Sequence, residues 1–314
     1  MPCRVRSDAL FSWRGMTDLA KRSRLAMRVA DALGRGRGRW RMLDHARKTP
    51  PPARLTPDLS RWQNHTLAAV WIGHATLLLR VGGKTILTDP VFANTIGIGL
   101  GLMTGGPRRH QLPALTIKQL PPLDLILLSH AHFDHLDRPT LAMLPKSTPV
   151  VASTGLRDLI EDLGYHDITE LRWGQSTRLG DVQIAAHPVN HWGARTFYDT
   201  HRGYGAFVLE TTSHRILYGA DTAYHELWKD MPPVDLAIMG IGAYDPFIRA
   251  HTTPEQAWQM ARHVQATHVL PIHHSTFRLS REPMTEPIER ILVAAGTEMD
   301  RVVVREVGGM WTID

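Results

Sequence analysis

Cysteine is nearly missing from this 314-residue chain; Cys3 is the only one. That excludes a disulfide framework and any thiolate zinc site, so a metal held here is held by His, Asp or Glu. It also fits a reducing compartment, and the expectation is a cytoplasmic protein. No apolar run reaches the length of a membrane span. The first thirty residues lack the uninterrupted apolar stretch of a secretory signal, so none is expected. Acidic residues are scarce only at the start. Residues 1–55 hold 14 Lys and Arg against 4 Asp, while the remainder holds 22 Lys and Arg against 26 Asp and Glu. The net charge of +6 therefore comes from a basic start on a mildly acidic body. Nucleic-acid binding by that body is not expected.

Histidine, by contrast, is plentiful and concentrated. In Ser129-His130-Ala131-His132-Phe133-Asp134-His135-Leu136-Asp137, three imidazoles and a carboxylate fall within six residues. The apolar run Asp124-Leu125-Ile126-Leu127-Leu128 precedes them and reads as a buried strand. On a turn leaving a strand end, such side chains can converge. A transition metal requires that, with imidazole nitrogen and carboxylate oxygen each about 2.0–2.2 Å from the ion.

Residues 1–55 form an extension with one helix expected at 16–33. Leu19, Ala26, Val29, Ala30 and Leu33 recur at helical spacing among Lys21, Arg22, Arg24 and Arg28. Pro50-Pro51-Pro52 marks a linker. Two readings fit this helix. One is a peripheral anchor on an anionic bilayer, at the inner membrane face; the other is a helix docked on the protein itself, or a loosely ordered extension. The body, 56–314, opens with strands at 67–71, 76–81 and 84–88, separated by Gly-containing turns as in an antiparallel meander. A long Gly-rich loop at 91–112 carries Arg108 and Arg109, either facing an anionic substrate or lying as a solvated basic pair.

Beyond the histidine loop, helices are expected at 138–144, 156–163, 223–230, 254–265 and 285–295. Strands are expected at 150–152, 168–172, 176–179, 182–187, 205–211, 216–219, 234–239 and 268–272, with two short ones closing the chain. No internal repeat is evident. Two face-to-face sheets with helices outside accommodate this order.

Further ligands are expected at later strand ends, where a rigid scaffold holds them best. His191, Asp221 and His273 each close such a run. Alone, a strand-end His reads as a structural hydrogen-bonder and Asp221 as a helix N-cap; together, after an H-x-H-x-D-H loop, they point to a metal.

With these residues the chain resembles the metallo-β-lactamase superfamily, and within it the N-acyl-phosphatidylethanolamine-hydrolysing phospholipase D group. The likeness runs over about 68–280 and is carried by Trp71-Ile-Gly-His-Ala-Thr76, Leu87-Thr-Asp-Pro-Val-Phe92, Gly106-Pro-Arg-Arg109, Leu120-Pro-Pro-Leu-Asp124, His191-Trp192, Gly219-Ala-Asp221-Thr222, Ile241-Gly-Ala-Tyr-Asp-Pro246 and Ile272-His273, besides the histidine loop. Asn190, Asp245 and His274-Ser275 depart from the group's usual residues.

The resemblance implies an α/β fold, the four-layer αβ/βα sandwich of two mixed sheets with helices outside. It implies that His130, His132 and His191 hold one zinc, that Asp134, His135 and His273 hold a second, and that Asp221 bridges both. Mn and Fe also suit His/Asp sites. A hydroxide shared by the ions would then hydrolyse a phosphodiester, giving phosphatidic acid and an amine-bearing alcohol. Asp134, Asp221 and His251 form the expected catalytic set, with His251 binding phosphate or donating a proton. Trp192, Trp173 and Tyr244 read either as the lining of an apolar substrate groove or as core aromatics. Asp89 and His74 read either as partners of the ligands or as a turn aspartate and a buried structural histidine. A zinc lactonase or other carbonyl-ester hydrolase is the alternative chemistry. A metal-binding, membrane-associated protein without catalysis is the alternative class. The expected partner is a lipid or small-molecule phosphodiester, and no oligomeric state is implied.

Overall fold

The run Leu67-Ala-Ala-Val-Trp-Ile-Gly73 has no polar side chain, and it forms a strand buried along its whole length. The same holds for several strands of this protein, whose computed structural model describes residues 49–100, 103–196 and 198–313. The helix expected at 16–33 lies outside the described residues. In chain order the strands are β1 (Leu67–Gly73), β2 (Thr76–Val81), β3 (Lys84–Thr88), β4 (Ile98–Leu100), β5 (Met103–Gly105), β6 (Leu125–Leu128), β7 (Val150–Ser153), β8 (Ile168–Leu171), β9 (Ser176–Leu179), β10 (Val182–His187), β11 (Ala206–Glu210), β12 (Arg215–Tyr218), β13 (Leu236–Gly240), β14 (His268–Ile272) and β15 (Met310–Ile313). The α-helices are α1 (Arg138–Met143), α2 (Pro254–His263) and α3 (Glu286–Ala295).

Among the described residues two large mixed sheets form, ordered β15-β1-β2-β3-β6-β7-β8 and β14-β13-β12-β11-β10-β9, with β4 and β5 as a small separate pair. The first three strands are the antiparallel meander, with Val70 opposite Leu78 and Leu78 opposite Leu87. From β3 the pairing turns parallel through β6, β7 and β8. In the second sheet β9 to β12 are antiparallel, and β12, β13 and β14 are parallel.

Side-chain alternation divides the core into layers. Leu67, Trp71, Leu77 and Leu79 of the first sheet meet Ile184, Phe207, Leu209, Ile238 and Leu270 of the second. On the outer face of the first sheet, Val70, Leu78, Ile126 and Leu128 pack on Leu141, Leu156, Ile160 and Tyr165. On the outer face of the second, Val208, Leu217, Ala237 and Met239 pack on Trp258, Met260 and Ala261 of α2 and Ile291 of α3. This is the αβ/βα sandwich. The strand directions place the C-terminal ends of β1, β3, β6, β10, β12, β13 and β14 at one shared edge, where loops can converge.

Several expected elements differ. The helix expected at 156–163 is two 3-10 turns, Arg157–Leu159 and Glu161–Leu163, because Ile160 leaves helical geometry (φ −131°) and Gly164 takes a left-handed cap. The helix expected at 223–230 is a series of turns. Trp228 pins that stretch through its indole N–H to the Pro188 carbonyl, and Pro232-Pro233 follow. Of two closing strands only β15 forms, while Val302 makes a single bridge to Val269.

Candidate metal centre

Every chemistry-bearing residue at the shared edge leaves a strand end. Residues 129–136 follow β6 and then enter α1, whose N-cap is Asp137, with its carboxylate accepting from the Thr140 N–H. Asp221 follows β12, His251 lies in the loop from β13 to α2, and His273 directly follows β14. Thr253 caps α2 with a reciprocal capping box, which ends that loop firmly. His74, Asp89 and His273 have φ of 56°, 32° and 64°. Such left-handed backbone is costly for non-glycine residues and concentrates where a site dictates the geometry.

The side chains form adjoining clusters. In one, His130, His132, His191 and Asp221 bring ligand atoms within 4.8 Å of one another; in the other, His74, Asp134, His135 and His273 do so. His132 Nδ1 lies 2.9 Å from His130 Nε2 and 3.3 Å from His191 Nε2. Asp134 Oδ2 lies 3.3 Å from His273 Nε2 and 3.7 Å from His135 Nε2. Asp221 joins the two: its Oδ2 is 3.9 Å from His130 Nε2, 3.8 Å from His191 Nε2, 3.2 Å from His135 Nε2 and 3.3 Å from His273 Nε2. His251 Nδ1 sits 3.8 Å from the same oxygen.

Burial sets the protonation of the metal-free centre. It is the largest influence on His130, His132 and His191, and it holds all three below the ordinary imidazole range, His132 at about 3 with His191 adding to the effect. These rings are neutral and offer lone pairs. Burial also opposes charge on Asp134 and Asp221, but His135 and the other imidazoles outweigh it and hold both carboxyls well below their usual range. The reverse holds for His135 and His273. Burial disfavours their charge, yet Asp221 and Asp134 outweigh it, raising His135 well above its ordinary value and His273 to about 9. Two imidazolium rings thus stand beside two buried carboxylates. Asp221 Oδ1 and His135 Nε2 are buried without a hydrogen-bond partner. A buried all-His/Asp donor set with orphaned donor atoms fits metal ions, whose binding displaces those protons.

The ligand rings are themselves held. Asp89, fully buried, accepts from the Ser129 N–H (2.7 Å), the Ser129 hydroxyl, the Tyr218 hydroxyl (2.7 Å) and His135 Nδ1–H (2.7 Å). His191 Nδ1–H donates to the Ala250 carbonyl at 2.9 Å. Arg195 donates to the carbonyls of Ala131 and Leu136, both at 2.7 Å, and lies 4.0 Å over the Phe133 ring, bracketing the histidine loop. Ser129, Tyr218 and Arg195 were not singled out in the sequence. Their weak signals are adjacency to the loop, a position three residues before Asp221, and a position four residues after His191.

Trp192 lies on the rim, 41% exposed, stacked 4.7 Å from His191 and edge-on to His132 at 5.0 Å. Trp173 is also exposed, with its indole N–H on the Tyr204 carbonyl. Arg109 corrects the solvated reading: it is buried, with Nε and Nη2 donating to the Ala93 and Val91 carbonyls and the guanidinium over Phe277, while Nη1 is buried without a hydrogen-bond partner. Tyr244 is the buried aromatic that one of its two readings expected: it is 6% exposed, its hydroxyl donates to Glu286 of α3 at 2.8 Å and Arg290 lies over its ring. Arg108 is half-buried in a bridge to Thr95.

Residues 84–274 match the beta-lactamase superfamily domain. The chain belongs to the metallo-β-lactamase superfamily. This superfamily member is a metal-dependent hydrolase. It is 30% identical over 273 residues to an uncharacterised protein of Mycobacterium tuberculosis, covering 82% of this chain and 72% of that one. It is 29% identical over 247 residues to N-acyl-phosphatidylethanolamine-hydrolyzing phospholipase D 1 of Caenorhabditis elegans, covering 72% and 68% of the two chains. An isothiocyanate hydrolase from Delia radicum gut bacteria shares the fold, with a TM-score of 0.65 at 16% identity over 79% of this chain and 99% of that one.

Proposed function

We propose that this hydrolase is a two-zinc phosphodiesterase of phospholipase D type, acting on N-acyl phosphatidylethanolamine-like lipids. One observation carries the reading: two four-residue His/Asp clusters meet at Asp221, the arrangement a paired-ion centre needs. The similarity to the worm phospholipase D supports the substrate class. His130, His132 and His191 would hold one ion, Asp134, His135 and His273 the other, with Asp221 between them. When bound, the ions supply hydroxide from water near neutral pH and neutralise charge growing on phosphate oxygens.

The chain's own residues do the rest. Asp221 and Asp134 are anionic and fix the centre's charge. Burial first, then nearby imidazoles, push His251 well below its ordinary value despite Asp221. As a neutral ring it offers one N–H to a phosphate oxygen rather than a mobile proton. Trp192 gives an apolar rim against which an acyl chain can lie. Water is added across the bond between phosphorus and the head-group alcohol. The new P–O bond leaves phosphatidic acid, and the departing alkoxide takes up a proton. Residues 16–33 are the proposed contact with an anionic inner membrane face.

The deciding experiment presents the zinc-loaded, full-length protein with vesicles of N-acyl phosphatidylethanolamine and, in parallel, with a lactone panel. Release of phosphatidic acid is expected. Turnover of lactones alone would transfer the site to carbonyl chemistry, and no turnover of either by fully loaded protein would end the phosphodiesterase reading.

A further inference from the structure

His74 is fully buried in the turn between β1 and β2, and each of its polar handles except Nδ1 is tied to the second cluster or its support. Its Nε2 lies 2.9 Å from Asp134 Oδ2. A carboxylate that ligates a metal can only accept, so Nε2 carries the proton and donates. Its carbonyl accepts the His273 N–H at 3.2 Å and the Trp71 indole N–H at 2.8 Å. Its own N–H donates to the Thr276 hydroxyl at 2.8 Å, three residues beyond His273. The ring packs 4.1 Å from that of His273 and edge-on to Phe277 at 5.2 Å. The left-handed backbone of His74 makes this double reach from one residue possible. Gly73 before it has φ 139°, and a side chain there would crowd Arg109.

We propose that His74 is the positioning residue of the second metal position, aiming Asp134 through its side chain and anchoring His273 through its backbone. The inference rests on the two-ion reading above. Asp134 Oδ2 accepts from His74 and also lies 3.3 Å from His273 Nε2. The donated hydrogen bond therefore fixes which carboxylate oxygen faces the other ligands, and it draws charge from that oxygen. Outer partners of this kind typically govern metal affinity by 10–100-fold.

The test compares His74→Ala, His74→Gln and His74→Asn with the unaltered full-length protein. Each is titrated with zinc against a competing chelator and, separately, loaded with cobalt for its visible spectrum. Gln places an amide N–H close to the position of Nε2, whereas Asn reaches only as far as Nδ1. The expected result is loss of affinity at one of two ions by roughly 10–100-fold in the Ala and Asn variants, with the other ion unaffected, and recovery to within a few-fold in the Gln variant. If the Ala variant does not fold, the Gln and Asn pair decides alone. Equal retention of both ions by every variant would overturn the proposal. So would equal loss in Gln and Ala with an altered cobalt spectrum, which would make His74 a direct ligand. A wild-type chain that holds a single ion fails the two-ion reading, and the Ala-against-Gln contrast is then read on that ion.

Discussion

Replacing Asp89 by Asn changes one oxygen to an NH2 group and should cost the centre a metal while leaving the fold in place. The carboxylate accepts from four donors, among them His135 Nδ1–H at 2.7 Å, and it is fully buried. That bond leaves His135 Nε2, 3.2 Å from Asp221, as the nitrogen facing the cluster. An Asn side chain can satisfy the Ser129 N–H with its carbonyl, but its NH2 then faces Nδ1. When the ring gives up one proton to ligate, the Asn NH2 favours the tautomer that keeps the other on Nε2, where it can no longer ligate. A hydrogen bond to a charged group contributes about 1.5–3 kcal/mol. At about 1.4 kcal/mol per tenfold, that corresponds to a loss of roughly 10–100-fold in affinity at the second position, in line with the usual effect of outer partners. Asp89→Ala should be far worse. It strands four buried donors at about 1–3 kcal/mol each, a large share of the 5–15 kcal/mol that holds an ordinary domain together. Zinc titration and thermal unfolding of both variants check this. An Asn variant that holds its second ion at wild-type affinity would refute the tautomer argument.

Zinc added to the metal-free protein at pH 7 in weak buffer should release about two protons per chain, because His135 and His273 are raised and must be deprotonated to ligate; an indicator dye that registers no change would contradict it. The sign for metal-free stability follows. The folded value of His273, about 9, exceeds the ordinary 6.5, so its contribution is complete below about pH 6.5 and is lost as pH rises through about 9. Thermal melts of the metal-free protein across that window should fall, whereas metal affinity should rise. Arg109→Ala should lower stability by about 2–4 kcal/mol, since it leaves the Val91 and Ala93 carbonyls without their donor and opens space beside Phe277; KM in the folded fraction should not move. Trp192→Ala, at an exposed rim position, should leave the melting temperature within a degree or two but weaken long-chain substrates by about 1–2 kcal/mol more than short-chain ones, read from kcat/KM over an acyl series.

The strands were legible where burial is complete on both faces or strictly alternating. Leu125–Leu128 is buried throughout and Val182–His187 is buried at alternate residues, and both patterns stand in the sequence as such. Two stretches expected as helices form turns instead. Residues 156–163 have helical spacing and pack Leu156 and Ile160 against the first sheet, but Ile160 leaves helical geometry (φ −131°) and Gly164 takes a left-handed cap, so the stretch breaks into two 3-10 turns. In 223–230 Trp228 is buried in the outer core of the second sheet and bonded to the Pro188 carbonyl, but the chain around it runs as turns.

The metal-facing residues were legible because a ligand must be one of few residue types at the end of a rigid strand, and His191, Asp221 and His273 satisfy both conditions in plain view. Their supporting shell was not, for a physical reason. A residue that orients a ligand needs only a donor or acceptor at the right point, and a serine hydroxyl, a tyrosine hydroxyl, a carboxylate or a backbone carbonyl serves equally. Around His135 and Asp89 all of these are used except the last, and His191 uses the last through Ala250. Arg109 shows the converse error. A guanidinium in a Gly-rich loop looks like an anion receptor, but five donors in a fixed fork suit loop carbonyls as well as a phosphate. Where the loop folds back on itself, as at Val91 and Ala93, the carbonyls are already at hand and no water need be displaced by a ligand to satisfy them. On the proposed phosphodiesterase reading, the substrate's anion is expected at the Asp221 edge, met by the metal positions and the His251 N–H rather than by the arginine pair. On that account Arg108→Gln and Arg109→Lys should leave the dependence of kcat/KM on ionic strength as it is in the unaltered enzyme.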